Sequence, residues 1–160
     1  MLTVLDEYTR ESLAIRVERS IRAERVIETL EWLFLTRGSP QYLRSDNGPE
    51  LVAKAVQNLL AHNGCRTIYI EPGSPWENPY IESFHGTFRR ECLDRYAFAS
   101  GLEAQGIVAA WRQEYNEARP HSSLGYLTPA EFSHRCRMKP DQATSSPVVD
   151  RSVALTAGST

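Results

Sequence analysis

Asp46 and Glu82 are the residues of this chain best placed to do chemistry, with thirty-five residues between them. Asp46 follows Tyr42-Leu43-Arg44-Ser45, a strand candidate, and opens the turn Asn47-Gly48-Pro49. A carboxylate where a strand gives way to a turn is a usual place for chemistry in an open α/β sheet. Glu82 lies in the first turns of a helix that follows the loop Glu71-Pro72-Gly73-Ser74-Pro75. Carboxylates from separate elements that converge on divalent cations serve phosphoryl transfer. One ion activates the attacking oxygen and a second, about 4 Å away, stabilises the leaving one. Mg²⁺ suits such a site because it takes oxygen ligands and leaves room for water and phosphate; Mn²⁺ is the expected substitute. Each residue also has a purely structural use. Aspartate before Asn-Gly bonds local backbone in many turns, and glutamate in a first helical turn favours the macrodipole. Residue type alone leaves both readings open.

The helix that carries Glu82 has two stripes. Ile81, Phe84, Phe88 and Cys92 form an apolar one, and Asn78, Glu82, His85 and Arg89 a polar one beside it. Such a helix can pack on a sheet and still line a cleft. Asn78 followed by Pro79 reads as an N-cap and first helical residue, with Ser74-Pro75-Trp76-Glu77 a rival cap one turn earlier. His85 is read as a phosphate contact or a solvated histidine. Arg89 and Arg90 either grip a DNA backbone, which rewards clustered guanidiniums, or form a solvated face with Glu91 and Asp94. Trp76 anchors its loop or stacks on a base, and the Gly/Pro loop has the composition of an active-site flap.

The elements that must position these groups follow from periodicity. Leu2–Leu5 and Leu13–Val17 read as two strands around the polar segment Asp6-Glu7-Tyr8-Thr9-Arg10, a hairpin. Val26, Ile27, Leu30, Leu33 and Phe34 fall at helical spacing within Ala23–Thr36, and Gly38 and Pro40 stop that helix. Pro49 opens a helix that runs to about Asn63, with Gly64 as its left-handed stop. Thr67–Ile70 reads as a strand. Ser100-x-x-Glu103 and Thr128-Pro129-Ala130-Glu131 are capping boxes that open later helices. The order implies a mixed sheet with helices on its faces. From about Asp141 the chain lacks aromatics and is rich in Ser, Thr and Ala, so a core over 1–134 and a disordered tail over 135–160 are expected.

Composition narrows the class. The chain has 160 residues, 41% hydrophobic and 24% charged, enough for one globular core. It has no apolar run of about 18 residues and no signal-peptide pattern, so a membrane role is not expected. Its three scattered cysteines suit a reducing cytosol and make no zinc spacing. A net charge of −2 puts any DNA contact on local patches.

Ser45-Asp46-Asn47-Gly48-Pro49-Glu50 and Glu77-Asn78-Pro79-Tyr80-Ile81-Glu82-Ser83-Phe84-His85-Gly86 resemble the integrase-core signature of bacterial insertion-sequence transposases, relatives of retroviral integrases. The interval between Asp46 and Glu82 matches that superfamily's spacing of its second and third acidic ligands. Asp6-Glu7-Tyr8-Thr9-Arg10-Glu11 resembles its hairpin turn. Tyr115-Asn116-Glu117-Ala118-Arg119-Pro120-His121, Leu124-Gly125-Tyr126 and Thr128–Phe132 resemble its closing segment, so the likeness covers about Leu2 to Phe132.

The resemblance implies a ribonuclease H-like α/β fold and Mg²⁺-dependent DNA cleavage and strand transfer at transposon ends. Asp46 and Glu82 are then the catalytic metal ligands, and Asn78, His85, Arg89 and Arg90 the DNA contacts. Transposon-end and target DNA are the implied partners, along with further copies or other transposase subunits, in a bacterial cytoplasm at the nucleoid. The family's first catalytic aspartate lies on a first strand upstream of Leu2. The expectation is therefore a truncated core with that strand missing and an unpaired edge exposed, inactive alone, with upstream codons encoding the aspartate. The alternative is a non-catalytic remnant that only binds DNA or a partner. A ribonuclease H-like nuclease of repair or RNA processing shares the chemistry but not the closing motif. Asp6, at the far end of its strand, is expected to point away from the site.

Overall fold

The computed structural model describes residues 1–71, 78–138 and 152–157. Five strands form one mixed sheet in the order β2-β1-β5-β3-β4. β1 (Leu2–Asp6) and β2 (Ser12–Arg16) are the expected antiparallel hairpin. β3 (Tyr42–Ser45) and β4 (Arg66–Tyr69) pair in parallel. Between the two pairs lies β5 (Ser152–Ala157), antiparallel to β1 and parallel to β3.

Helices cover both faces. α1 (Ala23–Arg37), α2 (Pro49–Val52) and α3 (Lys54–His62) bury Leu30, Leu51, Val56 and Leu60 with Leu2, Val4, Leu43, Val153 and Leu155. On the other face α4 (Pro79–Phe88) and α5 (Gly101–Ala118) bury Ile81, Phe84, Phe88, Val108 and Trp111 with Leu5 and Ala154. Every residue of β1 is buried, as a strand covered on both faces requires. α6 (Pro129–Met138) closes the described core, opened by the reciprocal bonds of its capping box: Glu131 N to Thr128 Oγ1 at 3.2 Å and Thr128 N to Glu131 Oε2 at 2.9 Å.

Three expectations are corrected. The helix from Pro49 breaks at Ala53, whose extended backbone (φ −55°, ψ 136°) ends α2 and begins α3. The tail expected to be disordered over 135–160 contains the end of α6 and all of β5. The central slot of the sheet is consequently not an open edge: β5 fills it, with Ala154 and Leu155 fully buried and Val153 nearly so. Among the described residues no helix is long and apolar enough to cross a membrane.

Candidate functional site

Asp46 and Glu82 line one cleft of about 460 Å³, together with His85, Gly86, Arg89, Thr3, Thr156 and Ala157. Strand geometry delivers Asp46. It is the first residue after β3, and Asn47 anchors that end of the strand by donating from Nδ2 to the Ile70 carbonyl at 2.9 Å. Asp46 Oδ1 accepts from the Gly48 N–H at 3.2 Å, the local turn bond expected of this residue. A Cβ at Gly48 would sit 2.9 Å from Glu50 Oε1 and 3.2 Å from Asp46 Oδ1, so a larger residue there would have to displace the ends of both side chains. The turn bond and the cleft position coexist, so the two sequence readings of Asp46 are not exclusive.

Helix packing delivers Glu82. Ile81, Phe84 and Phe88 are buried against the sheet, which turns the neighbouring stripe of Glu82, His85 and Arg89 to the cleft. Pro79 is the first residue of α4 as expected, and Asn78 its N-cap, but the Asn78 side chain makes no cap bond. Asn78 is only 2% exposed, which takes it out of any DNA-facing set. The rival cap at Ser74-Pro75-Trp76-Glu77, the flap and the role of Trp76 lie outside the described residues. After Phe88 the helix loosens into a π-helical turn, Arg89–Leu93, a distortion common at functional sites. Arg89 and Arg90 are both exposed there. Arg89 lines the cleft, whereas Arg90 donates to Thr87 Oγ1 at 3.3 Å. Glu91 is held by Arg119 rather than by these arginines.

Burial dominates the electrostatics. It pushes the Asp46 carboxyl above its ordinary range; the Gly48 N–H opposes the shift, the charge of Glu50 adds to it, and the Ala157 N–H opposes it again. His85 is lowered, first by burial and then by Arg89 and the terminal ammonium, which favours a neutral ring. Its Nε2 lies 3.2 Å from Thr156 Oγ1. Asp6 is far from this chemistry: 2% exposed, its Oδ1 accepts from the Tyr8 and Thr9 N–H groups, both at 2.9 Å. It pairs with Val153, three positions along β5 from Thr156, as expected of a turn residue pointing away.

Thr156 and Ala157 are among the cleft residues that sequence reasoning missed, as is Thr3. The signal was the run Ser152-Val153-Ala154-Leu155-Thr156-Ala157, whose β-branched and aliphatic residues sit among Ser, Thr and Ala. Asn116 was quoted only as part of a motif, yet it holds α5 to β2. Its Oδ1 accepts from the Ser12 N–H at 2.8 Å and its Nδ2 donates to the Ser12 carbonyl at 3.0 Å.

A mixed five-stranded sheet with helices on both faces is the ribonuclease H-like arrangement, and known proteins agree. Two family models, each described as an integrase core domain, match residues 1–75 and 63–129. The insertion element IS476 uncharacterized 39.2 kDa protein of Xanthomonas euvesicatoria is 44% identical over 136 residues, 85% of this chain and 39% of that protein. The insertion element IS407 uncharacterized 31.7 kDa protein of Burkholderia multivorans is 42% identical over 140 residues, 88% of this chain and 50% of that one. Among solved structures, the simian T-cell lymphotropic virus intasome in complex with the PP2A regulatory subunit B56 gamma matches with a TM-score of 0.72 at 15% identity, over 91% of this chain and 54% of that one. The HTLV-2 integrase catalytic core domain in complex with magnesium matches with a TM-score of 0.65 at 12% identity, over 82% of each chain. The chain belongs to the integrase core domain family. It is a core of the insertion-element kind, and it spans half or less of the length of the two insertion-element relatives.

Proposed function

We propose that this chain is the catalytic-core portion of an insertion-element transposase, acting on transposon-end and target DNA with a divalent cation held by Asp46 and Glu82. The observation that carries this reading is the cleft itself, which Asp46 from a strand end and Glu82 from a helix line together with His85 and Arg89. The donor set fits one Mg²⁺, with Mn²⁺ as substitute. Mg²⁺ takes one or two protein carboxylates, keeps several waters and bonds substrate phosphate, and this cleft is open and polar enough to admit both. Bound there, the cation would polarise a phosphate oxygen and activate a water or DNA 3′-hydroxyl. Arg89 holds the adjacent DNA phosphate, Arg90 a neighbouring one, and the neutral ring of His85 orients Thr156 or a phosphate oxygen. Asn78 serves by shaping the entry to α4. The HTLV-2 core was solved in a trimeric form, which supports assembly of this chain with further copies or other transposase subunits.

A second reading has its own support: among the described residues no group of three His, Cys, Asp or Glu gathers to hold a metal. A core with two carboxylates would then bind DNA or a partner without cleaving it. Fluorescence anisotropy of a labelled insertion-element-end duplex separates the two. Mg²⁺ should tighten binding by the wild-type chain about tenfold, roughly 1.4 kcal/mol, and should do nothing for Asp46→Asn or Glu82→Gln. An equal response in the variants would remove the carboxylates from the site, and binding indifferent to Mg²⁺ would favour the second reading.

A further inference from the structure

β5 brings more to the site than its backbone. Its register with β3 is Tyr42 with Ser152 through Ser45 with Leu155. One step further sets Thr156 beside Asp46, at the spacing of adjacent strands, about 4.8 Å. Asp46, Thr156 and Ala157 all line the one cleft, as that step requires. Alternation along the strand settles which way Thr156 points. Val153 and Leu155 enter the core under α1 and α3, while Ala154 enters the one under α4 and α5. Thr156 therefore shares the Ala154 face, toward Glu82 and His85, and it lines the same cleft. The His85 ring lies 3.2 Å from its hydroxyl. When neutral Nε2 accepts the Thr156 proton, the oxygen lone pairs stay free toward the cleft.

We propose that Thr156 is the third ligand position of the Asp46–Glu82 site, filled in this chain by a neutral hydroxyl oriented by His85. The proposal rests on the cation reading of that cleft and adds to it a residue from the far end of the sequence. It also accounts for the absence of a third ionisable donor among the described residues: the position is present, and its side chain carries no charge. A hydroxyl supplies one weak oxygen ligand, so the site holds a cation loosely. A carboxylate at 156 would lie about one strand spacing from Asp46, in the cleft that Glu82 also lines, and hold the cation tightly, because affinity for hard cations follows ligand charge count.

Isothermal titration of the full chain with Mn²⁺ tests this, with folding of every variant checked by circular dichroism. Thr156→Asp should tighten Mn²⁺ binding at least about tenfold. Thr156→Val, which keeps the shape and removes the oxygen, should weaken it about tenfold. Unchanged affinity in a folded Thr156→Val chain overturns the proposal, as does unchanged affinity in a folded Thr156→Asp chain. Should Thr156→Asp fail to fold, Thr156→Val decides alone. Asp46→Asn and Glu82→Gln separate this proposal from the reading beneath it. If both weaken Mn²⁺ binding while the 156 variants do not, the cation site stands without Thr156. If neither weakens it, the cation reading fails and the proposal with it.

Discussion

Asp46 carries a consequence that can be read from pH. Burial holds its carboxyl above the ordinary value of 3.8, so the folded chain keeps a proton there that the unfolded chain has lost. With no cation present, this group's contribution favours the fold below its ordinary value. That contribution is lost as pH rises through the raised one, because the native state binds the extra proton in that window. A cation reverses the preference by binding the ionised form. Mn²⁺ affinity should therefore climb as pH rises through the raised Asp46 value and level off above it. In Asp46→Asn that segment of the profile should disappear; a profile unaltered by the substitution would show that another group controls binding. Arg89 makes a separable contribution. If it meets one DNA phosphate, Arg89→Ala should lower the dependence of log affinity on log salt by about one unit and weaken all duplexes alike. A loss confined to particular sequences would instead mark Arg89 as a base reader.

At the scale of elements, the central strand is the point of greatest leverage. β5 pairs on both sides and fills both layers of the core, so its removal would expose two unpaired strand edges at once. Leu155 is fully buried, and Leu155→Ala should destabilise the chain by about 2–5 kcal/mol in urea unfolding. A change of a few tenths would mean that β5 contributes little to the folded state. Asn116→Ala should cost about 2 kcal/mol by stranding the N–H and carbonyl of Ser12. These two elements also mark what the sequence could and could not disclose. Local signals suffice for α1, where leucine and valine recur at helical spacing, and for α6, where Thr128 and Glu131 cap each other. The break at Ala53 escaped notice because alanine is a strong helix former and nothing nearby punctuates the chain. β5 escaped because its pairing is wholly non-local: Thr156 meets Thr3 and shares a cleft with Asp46, residues more than a hundred positions away. Asp46 and Glu82 were legible because each stands in a motif of its own; Thr156 stands in none.

The whole molecule is an integrase-type core with a cleft lined from three distant stretches: the end of β3, the middle of α4 and the last described strand. Each stretch is held by the sheet or by an apolar face packed on it, and the cleft is open enough for a phosphate backbone to approach. The central claim is that Asp46 and Glu82 share a cation there. Crystals of the 160-residue chain grown or soaked with Mn²⁺ test it most directly, through anomalous scattering at the manganese edge. The expected result is a single ion bonded to both carboxylates, with oxygen distances of about 2.1 Å, waters completing its shell, and the peak gone in Glu82→Gln. An empty cleft at saturating Mn²⁺, or an ion that ignores either carboxylate, would contradict it.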